Sequence, residues 1–166
     1  MQPARGRSAI AAALALVIGA AAYAQAPVAP DAMQRRVEEL VRWIAANSDY
    51  PPTLSRPPQF VFLAPEAIRH SFSNSSLGYS VDTSSVRAAQ VNGTIYLPYT
   101  FALGRDDYML LHELVHHLQD ESGRQFECLA MREREAYLLQ TAFVREAGIG
   151  ETPNDMFMLM LRCDIR

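Results

Sequence analysis

No lysine occurs in the chain. All fifteen basic residues are arginine, and they form no basic stripe. With a formal charge of −3, the sequence carries no electrostatic footprint for nucleic acid, which is excluded as a partner. Cysteine is scarce: Cys128 and Cys163 are the two present, and no CxxC spacing exists. That absence argues against a cysteine-based metal site. Long apolar runs are also missing. The one unbroken stretch of apolar and small residues, from Ala9 to Ala22, is too short and too alanine-rich for a membrane span. There is no internal repeat.

That stretch has another reading. Arg5 and Arg7 precede it, and Ala22-Tyr23-Ala24 supplies small residues at the two positions a signal peptidase inspects. Residues 1–24 are therefore expected to be a secretory signal, with residues 25–30 a short linker and 31–166 a single domain. Export, to the periplasm or beyond the cell, follows as an expectation. Removing the signal takes two arginines and no acid, moving the formal charge from −3 to −5. In an exported protein the pair Cys128 and Cys163 is expected to form a disulfide, worth ~3–4 kcal/mol from loop closure.

Periodicity outlines the mature domain. Met33, Val37, Leu40, Val41 and Ile44 recur at helical spacing after Asp31, an expected N-cap, and the helix should end near Asn47-Ser48. The prolines Pro51, Pro52, Pro57 and Pro58 impose an extended connection. Residues Gln59 to Leu63 read as a buried strand, followed by a helical turn from Pro65 to His70. A serine-rich loop covers residues 71–85. Strand-like runs at Val86–Val91 and Thr94–Leu97 flank Asn92-Gly93, a strong hairpin signal. Pro98 is tolerated only at a sheet edge or a strand end. Asp106 or Asp107 should cap a helix with Leu111, Leu114, Val115 and Leu118 on one side, stopped by Gly123. A longer helix is expected from Arg124 to Ala147. Thr152-Pro153-Asn154-Asp155 should open a short methionine-rich one. The class is α+β.

The chemistry concentrates in His112-Glu113-Leu114-Val115-His116. Two histidines at i and i+4 leave one helix face a turn apart, so both imidazoles can reach one zinc ion. Glu113 lies about 100° round the helix from His112. That places its carboxylate beside the metal, where it can take a proton from water attacking a carbonyl. Tetrahedral zinc needs a third protein ligand and one free position. The metzincin extension would need glycine at 119 and histidine at 122; Gln119 and Ser122 exclude it. His117 is rotated off the metal face, as expected of a surface or supporting residue. Asp120 is discounted, because three turns of one straight helix cannot converge on a point. The third ligand should come from the next helix, where Glu133 and Glu135 both fall on apolar lines. Periodicity does not choose between them, and the remaining acid is expected to pair with Arg132.

These residues carry a resemblance. His112 to His116, followed after eighteen intervening residues by Glu135-Ala136, resembles the gluzincin metallopeptidases of the thermolysin type. Over residues 60–145, including Thr94 to Pro98 and Glu135-Ala136-Tyr137, the chain is similar to small bacterial proteins grouped as minimal gluzincins. The resemblance implies a zincin-like α+β fold, with a small sheet and edge hairpin packed on the HExxH helix and a long helix after it. It implies one zinc per chain on His112, His116 and Glu135, with Glu113 as catalytic base. It also implies an edge strand at Thr94, Ile95 and Tyr96 along which a peptide substrate would lie. Leu139 stands where thermolysin-like enzymes have a supporting aspartate. A large second subdomain to supply oxyanion donors is not expected, and Tyr137, Tyr108, Tyr96 and His70 are the available substitutes. The expected function is an exported zinc metallopeptidase. The alternative is a zinc-binding structural or interaction domain with little turnover.

Overall fold

A computed structural model describes residues 28–73, 86–153 and 155–163. The expected export signal and most of the serine-rich loop lie outside the described residues.

Helix α1 spans Pro30–Ala46 and buries the predicted stripe of Met33, Val37, Leu40, Val41 and Ile44. Its cap differs from expectation. Ala29 occupies the N-cap, Pro30 takes the first helical position, and Asp31 falls in the first turn. Proline suits that place because its missing N–H has no helical partner there. Strand β1 (Gln59–Leu63) is followed by helix α2 (Pro65–Ser73). Strands β2 (Ala89–Val91) and β3 (Thr94–Pro98) form the expected hairpin. Asn92 and Gly93 both have positive φ, of 50° and 80°, the geometry that makes a two-residue turn match the strand twist. The first hairpin strand is shorter than predicted, starting at Ala89 rather than Val86.

The sheet order is β1-β3-β2, with β1 parallel to β3 and β2 antiparallel to it. Thr94, Ile95 and Tyr96 are therefore not on an edge. β3 is the central strand, paired on both sides, and Pro98 is tolerated as its last residue. The sequence exposes the hairpin but not the crossover through α2 that lays β1 against β3. The exposed edge beside the functional residues belongs to β2.

Helix α3 spans Asp107–Ser122, with Asp106 at its N-cap and left-handed Gly123 at its C-cap. It is buried on every face from Asp107 to Gln119 except at Met109, not on one side as its leucines suggested. Leu110, Leu111, Leu114, Val115 and Leu118 are fully enclosed, because α3 packs against α1, β2 and helix α4 (Leu129–Ala147) together. The start of α3 is fastened to α1 by the fully buried Asp107, which pairs with Arg36 at 2.5 Å and accepts the Gly104 N–H at 2.9 Å. α4 begins at Leu129 rather than Arg124 and ends at Gly148, as predicted. Trp43 ties α1 to α4, stacking edge-on against Phe143 and donating to Glu146 at 3.0 Å. Helix α5 (Asp155–Met160) starts two residues later than the Thr152-Pro153 signal implied and buries none of its residues. The Cys128–Cys163 disulfide joins the start of α4 to the segment after α5.

Candidate metal centre

His112 and His116 lie one turn apart on the buried face of α3, and their Nε2 atoms are 3.1 Å apart. α4 crosses beside them and presents Glu133, whose carboxylate oxygens lie 3.4 Å from His112 Nε2 and 3.2 Å from His116 Nε2. These three residues offer ligand atoms all within 4.8 Å of one another. Bonds of about 2.0–2.1 Å in a tetrahedron put neighbouring donors roughly 3.3 Å apart. The three spacings bracket that value, so the group could hold a metal ion. The histidine side chains are 10% and 8% exposed and that of Glu133 is 40% exposed. The cluster thus opens to solvent on the glutamate side.

Glu135, the acid implied by the gluzincin resemblance, is not brought to the histidines. Two positions along α4 turn a side chain about 200°, so one of the two acids must face elsewhere. Glu135 accepts the Tyr50 hydroxyl at 2.6 Å and Gln119 Nε2 at 2.9 Å, and pairs with Arg124 at 2.8 Å. A carboxylate so engaged satisfies its lone pairs without a metal. Nor does Arg132 pair with either glutamate. Its ion-pair partner is Asp120, at 2.8 Å. His117 is buried rather than superficial: its Nε2 lies 2.7 Å from the Arg56 carbonyl. Nearby, Glu121 accepts the Ser55 and Arg56 N–H groups. Both residues therefore pin the proline-rich segment to α3.

Glu113 sits next to the cluster, 6% exposed. Burial is the main cause pushing its carboxyl up, to about 7, with the Glu133 carboxylate adding to it and His112 opposing. Its carboxylate also receives the Gln90 backbone N–H. Gln90 opposes Ile95 between two flanking pairs of the hairpin, so its peptide groups point off the free edge of β2. Burial opposes a charged His116, but the Glu133 carboxylate outweighs this and raises the imidazole above its ordinary value. Reciprocally, burial would raise Glu133, yet the two histidines hold it well below the usual carboxylate range.

Of the tyrosines offered as oxyanion donors, Tyr137 packs on a cluster residue: its ring lies 4.4 Å from that of His112. Burial, then Glu133 and Glu113, raise its hydroxyl above the ordinary value. Phe157 of α5 meets the Tyr137 ring edge-on, with centroids 5.1 Å apart. Tyr108 is engaged elsewhere, 3.4 Å from Arg87. The sequence reading missed Gln119, Tyr50 and Gln90. Gln119 alone left a signal, standing three residues after His116 on the same helix face.

Fold and site together define a mixed α+β domain with a His-His-Glu group suited to a metal ion. The chain belongs to the DUF6647 family, a domain of unknown function, whose model matches residues 29–166. No curated protein matches it, and no solved structure does.

Proposed function

We propose that this protein is a zinc-dependent hydrolase acting on peptide bonds, with His112, His116 and Glu133 as ligands and Glu113 as general base. The observation that carries the reading is the set of 3.1, 3.2 and 3.4 Å spacings among three donors from two helices, with a buried acid beside them. Two nitrogens and one carboxylate form the donor set of catalytic zinc sites that keep a position open. Zinc bound there would supply an acidified water and a Lewis acid for the carbonyl. Glu113 takes the proton from the attacking water and returns it to the leaving nitrogen. Tyr137, whose ring packs against His112, would donate to the developing oxyanion. The Gln90 carbonyl, the other outward-pointing group of β2, would offer an extended peptide one main-chain hydrogen bond beside Glu113. This arrangement supports a zincin-like description of the fold.

The Cys128–Cys163 bridge supports export, since such bonds persist in oxidising compartments. No described helix is long and apolar enough to cross a membrane.

The test compares three purified proteins. Wild type should carry about one zinc per chain and cleave peptides from a general library. His112→Ala should lose the metal. Glu113→Gln should keep it and lose cleavage by at least ~100-fold. Equal zinc in wild type and His112→Ala would sink the site. Zinc retained with no cleavage by wild type would leave a metal-binding domain without turnover.

A further inference from the structure

We propose that Gln119 is a positioning residue: anchored by Glu135, its side-chain carbonyl holds the proton of His116 on Nδ1 and leaves Nε2 bare toward the metal position. The metal consequence rests on the function proposed above, but the proton's location does not.

Its hydrogen-bond partners fix which way the buried Gln119 amide points. The residue is 2% exposed and meets partners at both ends of its amide. One end lies 3.1 Å from the Arg132 carbonyl and 2.9 Å from Glu135 Oε2. Both of those accept hydrogen bonds and a carboxylate cannot donate, so this end must be the NH2 group. The other end lies 3.0 Å from Arg132 Nε, which can only donate, and is therefore the carbonyl. Turning the amide over would set NH2 against a guanidinium and a carbonyl against a carboxylate.

With the carbonyl assigned, His116 follows. Its Nδ1 lies 2.7 Å from Gln119 Oε1 and must donate to it. Arg132 Nε also lies 3.4 Å from Nδ1, but its shorter contact is with the same carbonyl. In the neutral ring Nε2 then carries a lone pair, and Nε2 is the atom facing His112 and Glu133.

Glu135 acts through Gln119. Its Oε2 accepts Gln119 and the Tyr50 hydroxyl, while Oε1 pairs with Arg124. This carboxylate therefore fixes the amide that fixes the imidazole. Among the described residues nothing equivalent holds the other ring, since His112 Nδ1 is buried with no hydrogen-bond partner among them. The two histidines are unequal: His116 is oriented in advance from its Nδ1 side, whereas His112, packed against Tyr137, meets polar partners among the described residues only at Nε2. Such supporting partners set ring orientation and basicity, and their loss typically weakens metal binding about 10–100-fold.

Two measurements test this. In metal-free wild type, nitrogen-resolved NMR of the His116 ring in alkaline buffer should show a protonated Nδ1 and a bare Nε2. Gln119→Leu should move the proton toward Nε2. A protonated Nε2 in wild type would overturn the proposal without any variant having to fold. Zinc affinity, by competition with a chelator, should fall about 10–100-fold in Gln119→Leu. In Glu135→Gln, which keeps an acceptor for Gln119, it should fall less than in Glu135→Ala. Unchanged affinity in Gln119→Leu would overturn the positioning role. If wild type binds no zinc at all, the metal centre fails, while the NMR result still decides whether Gln119 sets the tautomer.

Discussion

A carboxylate drawn into a packed interface must find a partner, and Glu133 and Glu135 of α4 have found different ones. Glu133 faces two imidazoles, whereas Glu135 faces a tyrosine, an amide and a guanidinium. Glu133→Ala should therefore abolish stoichiometric zinc binding, and Glu135→Ala should only weaken it. Metal content after dialysis against a weak chelator ranks the two, and the reverse order would restore Glu135 as ligand.

Glu113 allows a second prediction at this scale, for the metal-free protein. Its carboxyl is raised from 4.5 to about 7, mainly by burial. An acid whose folded value lies above its unfolded one favours the fold while protonated. That contribution is complete below about pH 4.5 and is lost as pH rises through about 7. At ~1.4 kcal/mol per pH unit the span is worth on the order of 3 kcal/mol. Glu113→Gln mimics the protonated form at every pH. Denaturant melts should thus show little difference from wild type at the acid end of this range and a clear gain for the variant above neutrality. A gain that does not grow with pH would contradict this assignment.

Among the elements, α5 is the least secured. It has six residues and none is buried; Met156, Leu159 and Met160 are more than 60% exposed. What holds it is the Cys128–Cys163 bridge, the contact of Phe157 with Tyr137, and Arg134, which donates to the Met158 and Leu161 carbonyls at 3.2 and 3.5 Å. Cys163→Ser should consequently release the C-terminal segment while the helices beneath remain folded. Amide exchange over residues 155–163 should accelerate strongly, with α3 and α4 keeping their protection. Equal acceleration throughout would mean that the bridge supports the whole core.

Across the whole molecule, α3 is the hub on which α1, α4 and β2 pack. The group that could hold a metal ion spans two helices, with two side chains from α3 and one from α4. An ion that binds only the folded state stabilises it by mass action, by about 2.7 kcal/mol at a hundredfold excess over Kd. Zinc should raise the melting temperature of wild type, and His112→Ala should remove the increase. An equal rise in both would place the ion elsewhere.

Local chemistry determined much of this in the sequence. The α1 stripe, β1, the Asn92-Gly93 turn and the glycine ends of α3 and α4 each depend on neighbours within a few residues, and each is found at its predicted position, although β1 is a part-exposed edge strand rather than a buried one. His112, Glu113 and His116 were legible for the same reason, since one turn of helix sets their relation. What needed distant partners was not legible. Glu133 and Glu135 both lie on apolar lines, and only the placement of Tyr50, Gln119 and Arg124, from other parts of the chain, decided which one met the histidines. β3 became the central strand because a crossover brought β1 to its far side. Helical spacing relates side chains along one element; which elements then meet, and which buried charge finds which partner, is decided when the chain packs.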